Sequence, residues 1–497
     1  MKQIIHWIDG ESVAGSSNRT GPVFNPATGS QTGEVAMASA SDVDGAVQAA
    51  KHAFETWRYS SLTQRQNIMF AFREIVAARR RDLAETLTSE HGKTIDDALG
   101  EVQRGLEVIE FACNIAHLLK GEYSEQVSTG VDTYTIRQPL GVVAGITPFN
   151  FPTMVPMWMY PIAIACGNTF ILKPSEKDPS TSTLVAGMLA EAGLPDGVFN
   201  IVHGDKEAVA ALITHPDVAA VSFVGSTPIA RYIYETGTSH GKRVQALGGA
   251  KNHMIVLPDA DIDLAADAAV SAGYGSAGER CMAISAVVAV GDAGDRLIDG
   301  VQTRIEKLNV GAGDRPGVEM GPLVTAAHRD RVTGYIDAGE KEGALLVADG
   351  RNLVVEGYEH GFFVGPTLFD NVGTGMSIYT DEIFGPVLST VRMEHYEEAI
   401  ALVNDNPYGN GTAVFTNDGG AARKFQNEIQ VGMVGINVPI PVPLSFYSFG
   451  GWKQSIFGSH AIYGPEGVHF YTRQKVVISR WADPIHRGVD LGFPTHG

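Results

Sequence analysis

The chain has 497 residues, of which 44% are hydrophobic and 19% charged, a composition typical of a globular protein with two or three domains. Its formal net charge of −19 argues against nucleic acid or an anionic membrane as the main partner. The three cysteines, Cys113, Cys166 and Cys281, are too few for a disulfide framework and favour a reducing, cytoplasmic compartment. The first residues, MKQIIHWIDGESV, predict a β-hairpin and not a signal peptide.

Residues 41–120 are predicted to be helical. The stretch SDVDGAVQAAKHAF opens with a Ser or Asp cap and repeats apolar residues every three or four positions. The stretches IMFAFREIVAARRRDLAETLTSE and ALGEVQRGLEVIEFACNIAHLL continue the pattern. No charge occurs from Gln138 to Leu172, but prolines interrupt this segment. A buried strand, loop and helix are therefore favoured over a membrane span.

Strands and helices then alternate. The predicted strands are GVVAGI, TFILKP, VFNIVH, AAVSFVG and RVQAL, with helical patterns such as STSTLVAGMLAEAG between them. The alternation resumes after Lys251 with MIVLPDADIDLAADAAV, AVVAVG, GALLVADG and TAVFTND. This pattern predicts two doubly wound α/β lobes that meet near the GGAKN stretch, with ligands at the carboxyl ends of the parallel strands.

Three segments are candidates for a nucleotide site. The spacing G-x-G-x-x-G at Gly273–Gly278 follows a helical pattern instead of a strand, so it is interpreted as a decoy. Ser226 opens a helix directly after a strand, where free N–H groups bind pyrophosphate, although an ordinary Ser-capped helix has the same sequence. Lys173 and Glu176 follow another strand, where a carboxylate can bind a ribose diol, but a solvated charged loop is about equally consistent with this pattern.

Cys281 is the candidate nucleophile. It follows Glu279 and Arg280 in GERC, so we expect partial exposure and a guanidinium that favours the thiolate. Cys113 and Cys166 are predicted to be small buried hydrophobes. No motif predicts a metal site.

A thiolate beside a dinucleotide site suggests oxidation of an aldehyde. The thiolate adds to the carbonyl carbon, a hydride passes to a nicotinamide, and a thioester remains on the cysteine. Asn150, in ITPFNFP, is predicted to stabilise the alkoxide formed on addition, because it lies at the end of the first sheet strand.

The motifs ITPFNFP, ILKPSEK, SFVGST, GGAKN, GERC and EIFGPV occur in this order along nearly the whole chain. Together they resemble the aldehyde dehydrogenase superfamily. The resemblance implies that Cys281 is the nucleophile and Asn150 the oxyanion donor. It also implies an NAD site lined by Thr147, Phe149, Lys173, Glu176, Lys177, Ser226, Gly248 and Glu382.

The same resemblance implies a domain organisation. Residues 1–124 and 143–248 would form the NAD-binding domain, and residues 249–436 the catalytic domain. Residues 125–142 and 466–497 would form a small β oligomerisation element. A homotetramer built from dimers is expected.

The chain departs from hydrolytic members of the superfamily at one position. Those members carry a glutamate in E-L-G-G-K that activates water, but here the stretch reads QALGGAK. Leu247 falls at the glutamate if Lys251 is matched without a gap, and Ala246 does if the glycines are matched. Neither side chain is a base, so the thioester is expected to react with a thiol, and coenzyme A is the abundant biological thiol.

The stretches GERCMA, GAKNH, INVPIPVPLSFYSFGGWKQSIFG and GVHFYTRQKVV resemble the CoA-acylating branch of the superfamily. The resemblance implies oxidation of methylmalonate or malonate semialdehyde, with loss of CO₂, to propionyl-CoA or acetyl-CoA. The resemblance implies that Arg104 and Arg280 bind the substrate carboxylate; for Arg104 the alternative is a helix-surface cation among Glu101 and Glu107. Two other functions stay open: a hydrolytic enzyme with its base elsewhere, and a non-catalytic protein of this fold.

Overall fold

The computed structural model describes residues 1–481, so residues 482–497 of the predicted oligomerisation element lie outside the described residues. The helices are α1 Ala40–Trp57, α2 Leu62–Ala78, α3 Arg80–His91, α4 Ile95–Cys113, α5 Ile115–Leu118, α6 Met154–Ala165, α7 Ser180–Glu191, α8 Lys206–Thr214, α9 Thr227–Ser239, α10 Ile262–Tyr274, α11 Ala293–Ile305, α12 Ala326–Lys341, α13 Ser377–Thr380, α14 Tyr396–Asp405, α15 Gly419–Glu428 and α16 Gly464–Phe470.

The strands are β1 Lys2–Ile4, β2 His6–Ile8, β3 Glu11–Val13, β4 Arg19–Asn25, β5 Ser30–Met37, β6 Tyr123–Ser128, β7 Val131–Pro139, β8 Val142–Ile146, β9 Thr169–Lys173, β10 Phe199–Ile201, β11 Val218–Val224, β12 Arg243–Leu247, β13 Asn252–Val256, β14 Ile284–Val290, β15 Leu345–Ala348, β16 Thr367–Asp370, β17 Val387–Met393, β18 Tyr408–Gly409, β19 Gly411–Phe415, β20 Met433–Ile436, β21 Trp452–Lys453, β22 Ile456–Phe457 and β23 Thr472–Arg480.

The first large sheet has eight strands in the order β22-β12-β11-β8-β9-β10-β2-β3. The five strands β8 to β12 are parallel to one another, and every residue of β8 and β9 is buried. Continuous burial follows from helices on both faces of a parallel sheet. The predicted N-terminal hairpin is confirmed as β2 and β3, which pair antiparallel in this sheet.

The second large sheet has seven strands in the order β15-β16-β17-β14-β13-β19-β20, and all of its pairs are parallel except β15 with β16. The predicted fold, with two doubly wound α/β lobes, is therefore confirmed. The predicted domain limits stay predictions.

A third, small sheet has the order β23-β7-β6. Strand β23 pairs antiparallel with β7 along its full length, from Thr472 opposite Pro139 to Arg480 opposite Val131. Val476 and Ile478 on β23 are exposed. The small sheet thus presents apolar side chains on an open edge strand, which is a typical pairing surface.

The charge-free segment folds as predicted into a buried strand, loop and helix. Every residue of α6 is buried, and at 12 residues the helix is shorter than the ~20 residues that a bilayer requires. Among the described residues, none of the helices has both the length and the apolar character needed to cross a membrane.

Helix α4 packs beside α6 and positions several charged side chains near the site described below. Thr94 caps α4 by accepting a hydrogen bond from the Asp97 N–H, and Asp96 and Asp97 lie in the first turn, where the helix dipole favours negative charge. The apolar side chains of α4 are buried against α2, α3 and α6, so the polar side chains of its first half are held by a well-packed helix.

Candidate active site

The carboxyl ends of four parallel strands line up at one edge of the eight-stranded sheet. Ile146 of β8 lies opposite Lys173 of β9, and Val224 of β11 lies opposite Leu247 of β12. The residues predicted to bind NAD follow these ends: Thr147, Phe149, Lys173, Glu176, Lys177, Ser226 and Gly248. Strand register therefore brings this set to one edge of the sheet.

Polar groups at this edge have few protein partners. Thr147 is buried, and its hydroxyl has no hydrogen-bond partner. Ser226 is exposed before the first turn of α9, and its side chain makes no capping hydrogen bond. Lys173 is buried with its Nζ 3.3 Å from Glu176 Oε2. A buried free hydroxyl, an open helix N-terminus and a lysine fit the phosphates and hydroxyls of a dinucleotide.

Phe149 is surrounded by rings and a cation. The ring centroid of Phe149 lies 6.3 Å from that of His91 and 5.9 Å from that of Phe384. The Nζ atom of Lys177 lies 4.3 Å from the Phe149 centroid, within cation–π range. Phe149 thus joins the loop after β8 to the segment that carries Phe384.

The glycine-rich segment has a different geometry from a phosphate-binding loop. It spans the end of α10 and a 3₁₀ turn at Gly275–Gly278, so no strand precedes it and the interpretation as a decoy is confirmed. Ser276, Ala277 and Gly278 have φ values of 52°, 52° and 73°. For the two non-glycine residues this left-handed backbone costs roughly 1–2 kcal/mol each, and it leads directly into the Cys281 loop.

Cys281 is half-buried. It lines a cavity of about 20 Å³ together with Glu382, which is close to the volume that holds one water molecule. The main-chain oxygen of Cys281 accepts hydrogen bonds from Asn252 Nδ2 at 2.9 Å and Asn410 Nδ2 at 3.1 Å. Two asparagines of the second lobe therefore fix the backbone that carries the thiol.

The three cysteines differ in solvent exposure, whereas the pKa of all three thiols is raised. Cys113 and Cys166 are 2% and 1% exposed, which confirms the prediction that they are small buried hydrophobes. Burial raises the pKa of the Cys166 thiol to about 12 and that of Cys113 to about 11. Burial also raises the pKa of Cys281 to about 11, with a further upward contribution from Glu382.

Arg280 acts in the expected direction on the Cys281 thiol, but it does not decide the net shift of the pKa. The Arg280 charge does lower the pKa, but burial and Glu382 outweigh it. Burial is the largest cause, and the Arg280 guanidinium also forms an ion pair with Asp97 at the start of α4. A carboxylate partner offsets much of the field that the arginine exerts on the thiol.

Arg280 lies over Gly275, where a Cβ atom would fall 2.5 Å from its Nη1 atom. Its side chain lines a cavity of about 670 Å³ between α4 and α10, with Asp97 and Tyr274 also in the wall. The glycine of the decoy motif therefore makes room for an arginine side chain.

Arg104 occupies a different cavity. Its Nη1 atom lies 2.8 Å from Glu107 Oε2, and its Nη2 atom donates to the main-chain oxygen of Pro443 at 2.7 Å. It is half-buried, and its pairing with Glu107 is the contact that the alternative of a helix-surface cation predicted. Arg280 lines the Cys281 cavity and the cavity between α4 and α10, whereas Arg104 lines another one beside Tyr463.

Glu382 lines the Cys281 cavity, and its side chain packs against Gly249. A Cβ atom on Gly249 would lie 2.3 Å from Glu382 Oε2, and the Ala250 N–H donates to Glu382 Oε1 at 2.9 Å. Burial raises the pKa of Glu382, although the charge of Lys251 opposes the shift. Glu382 is thus a half-buried carboxyl group that lines the Cys281 cavity and bonds to the stretch where hydrolytic relatives carry their base.

Ala246 and Leu247, the two positions that match the missing glutamate, are 0% and 5% exposed at the end of β12. Both side chains belong to apolar clusters. Neither position offers a base to the Cys281 cavity.

Sequence reasoning missed several charged side chains that contact the site. Lys93 and Glu101 form a buried ion pair beside Asn150. Glu279 is fully buried, with its carboxylate oxygens 3.7 Å from His91 Nε2 and 3.6 Å from His328 Nε2. Burial raises the pKa of Glu279 to about 8. Among these residues, only Glu279 could have been found from the sequence, through its position in the GERC motif.

No group of three or more His, Cys, Asp or Glu side chains within residues 1–481 is arranged to hold a metal ion.

Comparison with known proteins agrees with the family resemblance that the motifs indicated. The chain is 54% identical to the malonate-semialdehyde dehydrogenase of Pseudomonas aeruginosa over the whole length of both. It is 49% identical to the acylating, mitochondrial methylmalonate-semialdehyde dehydrogenase of Arabidopsis thaliana, across 98% of this chain and 80% of that protein. A crystal structure from Sinorhizobium meliloti, complexed with NAD, superposes with a TM-score of 0.97 at 53% identity, covering 98% of this chain and 99% of that one. The aldehyde dehydrogenase family matches residues 13–477, and the chain belongs to this family.

Proposed function

We propose that the protein is an NAD-dependent, CoA-acylating dehydrogenase of methylmalonate semialdehyde and malonate semialdehyde. The products are propionyl-CoA and acetyl-CoA, respectively, with release of CO₂. The names of the relatives, malonate-semialdehyde dehydrogenase and acylating methylmalonate-semialdehyde dehydrogenase, support this substrate class.

Each reacting group has a role in this proposal. Cys281 loses its proton and adds to the aldehyde carbon, and the Asn150 amide donates a hydrogen bond to the alkoxide. NAD, when bound, accepts the hydride that leaves the carbon. Cys281 then carries a thioester, which the CoA thiolate attacks while the Cys281 sulfur leaves. Arg104 and Arg280 hold the substrate carboxylate, for which Arg280 must release Asp97. When CO₂ departs, the electron pair of the broken C–C bond stays on the α-carbon as the thioester enolate, which takes a proton from water to give the propionyl or acetyl group.

The observation that carries the acylating assignment is the apolar end of β12. Ala246 and Leu247 are buried and cannot deprotonate water. General-base assistance is typically worth about 10²–10⁴-fold, so hydrolysis of the thioester is expected to be slow, and a thiol is the better nucleophile.

Rapid mixing of the enzyme with NAD and semialdehyde tests this assignment. Without CoA we expect a burst of about one NADH per active site, because hydride transfer precedes resolution of the thioester, followed by a slow phase. CoA is expected to accelerate the slow phase and to give an acyl-CoA product. Steady turnover to a free acid without CoA would contradict the proposal.

Hydrolysis is the second candidate function, and one observation favours it. Glu382 lines the same cavity as Cys281, and burial raises the pKa of its carboxyl group toward the range of a general base. Under this alternative Glu382→Gln would remove free-acid formation and spare the NADH burst. Under the acylating proposal Glu382 binds the ribose next to the nicotinamide, so the same variant would slow the burst itself.

We further infer a homotetramer built from dimers, in a cytoplasmic location. The exposed apolar side chains on β23 support assembly, since a hydrophobic edge strand is a pairing surface. The unpaired state of all three cysteines supports a reducing compartment. Sedimentation and cell fractionation test the two inferences.

A further inference from the structure

A buried ion pair fixes the loop that carries Asn150. The Nζ atom of Lys93 lies 2.7 Å from Glu101 Oε2 and also donates to the main-chain oxygen of Asn150 at 2.7 Å. Both charged side chains are fully buried. The same Nζ atom lies 4.3 Å from the centroid of the Phe151 ring. Lys93 therefore contacts the two loop residues Asn150 and Phe151 from one point.

The other carboxylate oxygen of the pair holds the helix that follows. Glu101 Oε1 accepts hydrogen bonds from the N–H groups of Thr153 at 2.8 Å and Met154 at 3.0 Å. Thr153 is the N-cap residue of α6, and its own side chain makes no capping hydrogen bond. Glu101 therefore caps α6 in place of a local side chain and complements the positive end of the helix.

Stability alone does not account for such a pair. Removing two charges from water costs several kcal/mol per ion, and replacing a buried pair by apolar side chains is often neutral or stabilising. This pair instead acts on geometry, because both of its members bond to the main chain on either side of the Asn150–Met154 turn. A misplacement of about 1 Å at a reacting group lowers a rate by roughly 10²-fold.

We propose that Lys93 and Glu101 are positioning residues that hold the Asn150 amide where the alkoxide forms on Cys281 addition. The proposal rests on the proposed function, in which Asn150 is the oxyanion donor. Lys93 acts through the Asn150 carbonyl, and Glu101 acts by orienting Lys93 and by fixing the start of α6.

Charge-balanced substitution separates positioning from folding. Lys93→Met and Glu101→Gln singly each leave one buried charge unpaired, so both are expected to lower the melting temperature and the burst rate together. The double variant Lys93→Met/Glu101→Gln removes both charges, and the amide oxygen of its glutamine still accepts from Thr153 and Met154. We expect the melting temperature to recover in the double variant while the NADH burst stays roughly 10–10²-fold slower than in wild type.

A cycle with Asn150→Ala identifies the route of the effect. Asn150→Ala alone is expected to slow the burst by roughly 10²–10³-fold. In that background the Lys93→Met/Glu101→Gln change should have little further effect, because the group it positions is gone. The dissociation constant of NAD should stay the same throughout.

The matched control is Arg73→Met/Glu110→Gln. Arg73 Nη2 lies 2.9 Å from Glu110 Oε1 and links α2 to α4 without contacting the Asn150 loop, so this control should leave the burst rate unchanged.

The outcomes separate failure of the inference from failure of the function. A wild-type burst rate in the double variant, together with a slow Asn150→Ala, would overturn the positioning role and leave the proposed chemistry intact. Equal slowing by the double variant in the presence and absence of the Asn150 amide would also overturn it. A wild-type burst rate in Asn150→Ala would overturn both the oxyanion assignment and the inference.

Discussion

The two lobes present their reactive edges in opposite ways. At the edge of the eight-stranded sheet, the Thr147 hydroxyl has no partner and Ser226 leaves the first turn of α9 uncapped. In the seven-stranded lobe, Asn252 and Asn410 bind the main-chain oxygen of Cys281, and Asp97 pairs with Arg280. The edge proposed to bind NAD, called the cofactor edge below, thus leaves its polar groups free for a ligand, whereas the cysteine loop is held by the protein itself.

Removal of the Cys281 thiol is expected to have the largest effect. It should stop the reaction at the cysteine loop and leave NAD binding at the other edge intact. Cys281→Ala should abolish NADH formation, since no other thiol of the described chain lines the cavity that holds Glu382. NAD binding, followed by fluorescence titration, should remain. Cys113→Ala and Cys166→Ala are the controls, and both should keep turnover. Substantial NADH formation by Cys281→Ala would contradict the mechanism.

Variants of Arg104 and Arg280 test whether these side chains bind the substrate carboxylate. Arg104→Leu and Arg280→Leu should each narrow the preference for semialdehyde acids over propanal, by about 2–5 kcal/mol in kcat/KM, because a charge-assisted pair with the substrate is lost. Arg280→Leu should also slow propanal oxidation, since Arg280 lowers the pKa of the thiol. Arg73→Leu is the control. An unchanged preference in Arg104→Leu would return Arg104 to a structural role in binding Glu107 and the Pro443 carbonyl.

The pH dependence of stability tests how firmly the protein buries Glu279, two residues before Cys281. Its folded-state pKa of about 8 lies above the usual 4.5, so between these pH values the folded state binds more protons than the unfolded state. Stability is then lost as the pH rises through that window, by up to about 1.4 kcal/mol per pH unit. His91, His328, Lys93 and Lys177 face this carboxyl group.

Glu279→Gln should therefore gain melting temperature relative to wild type as the pH is raised from 5 to 8, as measured by thermal unfolding. A constant difference between the two proteins across this range would show that Glu279 ionises normally. Glu342→Gln, at an exposed position, is the control and should show no such trend.

The smallest expected effect lies on the open cofactor edge. Glu176 is partly exposed beside Lys173, and its carboxylate would repel the 2′-phosphate of NADP. Glu176→Gln should raise the ratio of kcat/KM for NADP to that for NAD by up to about tenfold, because a partly solvated charge is screened. Glu191→Gln serves as the control. Equal use of both cofactors by the wild type would refute the assignment of Glu176.

The cofactor edge was predictable from the sequence because its geometry is local. Each of Thr147, Lys173 and Ser226 is the last residue of a strand or lies within two positions of its end, and parallel register then aligns the strand ends. The strand and helix patterns needed no knowledge of long-range contacts. The GERC motif likewise marked Cys281, the proposed nucleophile, without a structure.

The partners of the cysteine loop were not predictable in this way. Asp97 and Arg280 are 183 residues apart, and Glu101 is 52 residues from Thr153, so no local pattern records these contacts. Glu279 was visible as a charge next to Arg280, but acidic side chains are rarely buried, and its burial depends on packing between distant segments. The same packing explains why the net pKa of the Cys281 thiol is raised although Arg280 lowers it, as predicted.

Gly275 makes the position of the Arg280 side chain sensitive to a single substitution. A methyl group at that position would meet only the far end of the Arg280 side chain, which can move at low energetic cost, so Gly275→Ala should be tolerated by the fold. The displaced guanidinium would leave Asp97 and change the charge presented to incoming aldehydes. One nucleotide substitution converts a glycine codon into an alanine codon. Under the proposed role of Arg280, this single substitution would therefore alter the preference among aldehydes through the position of one side chain.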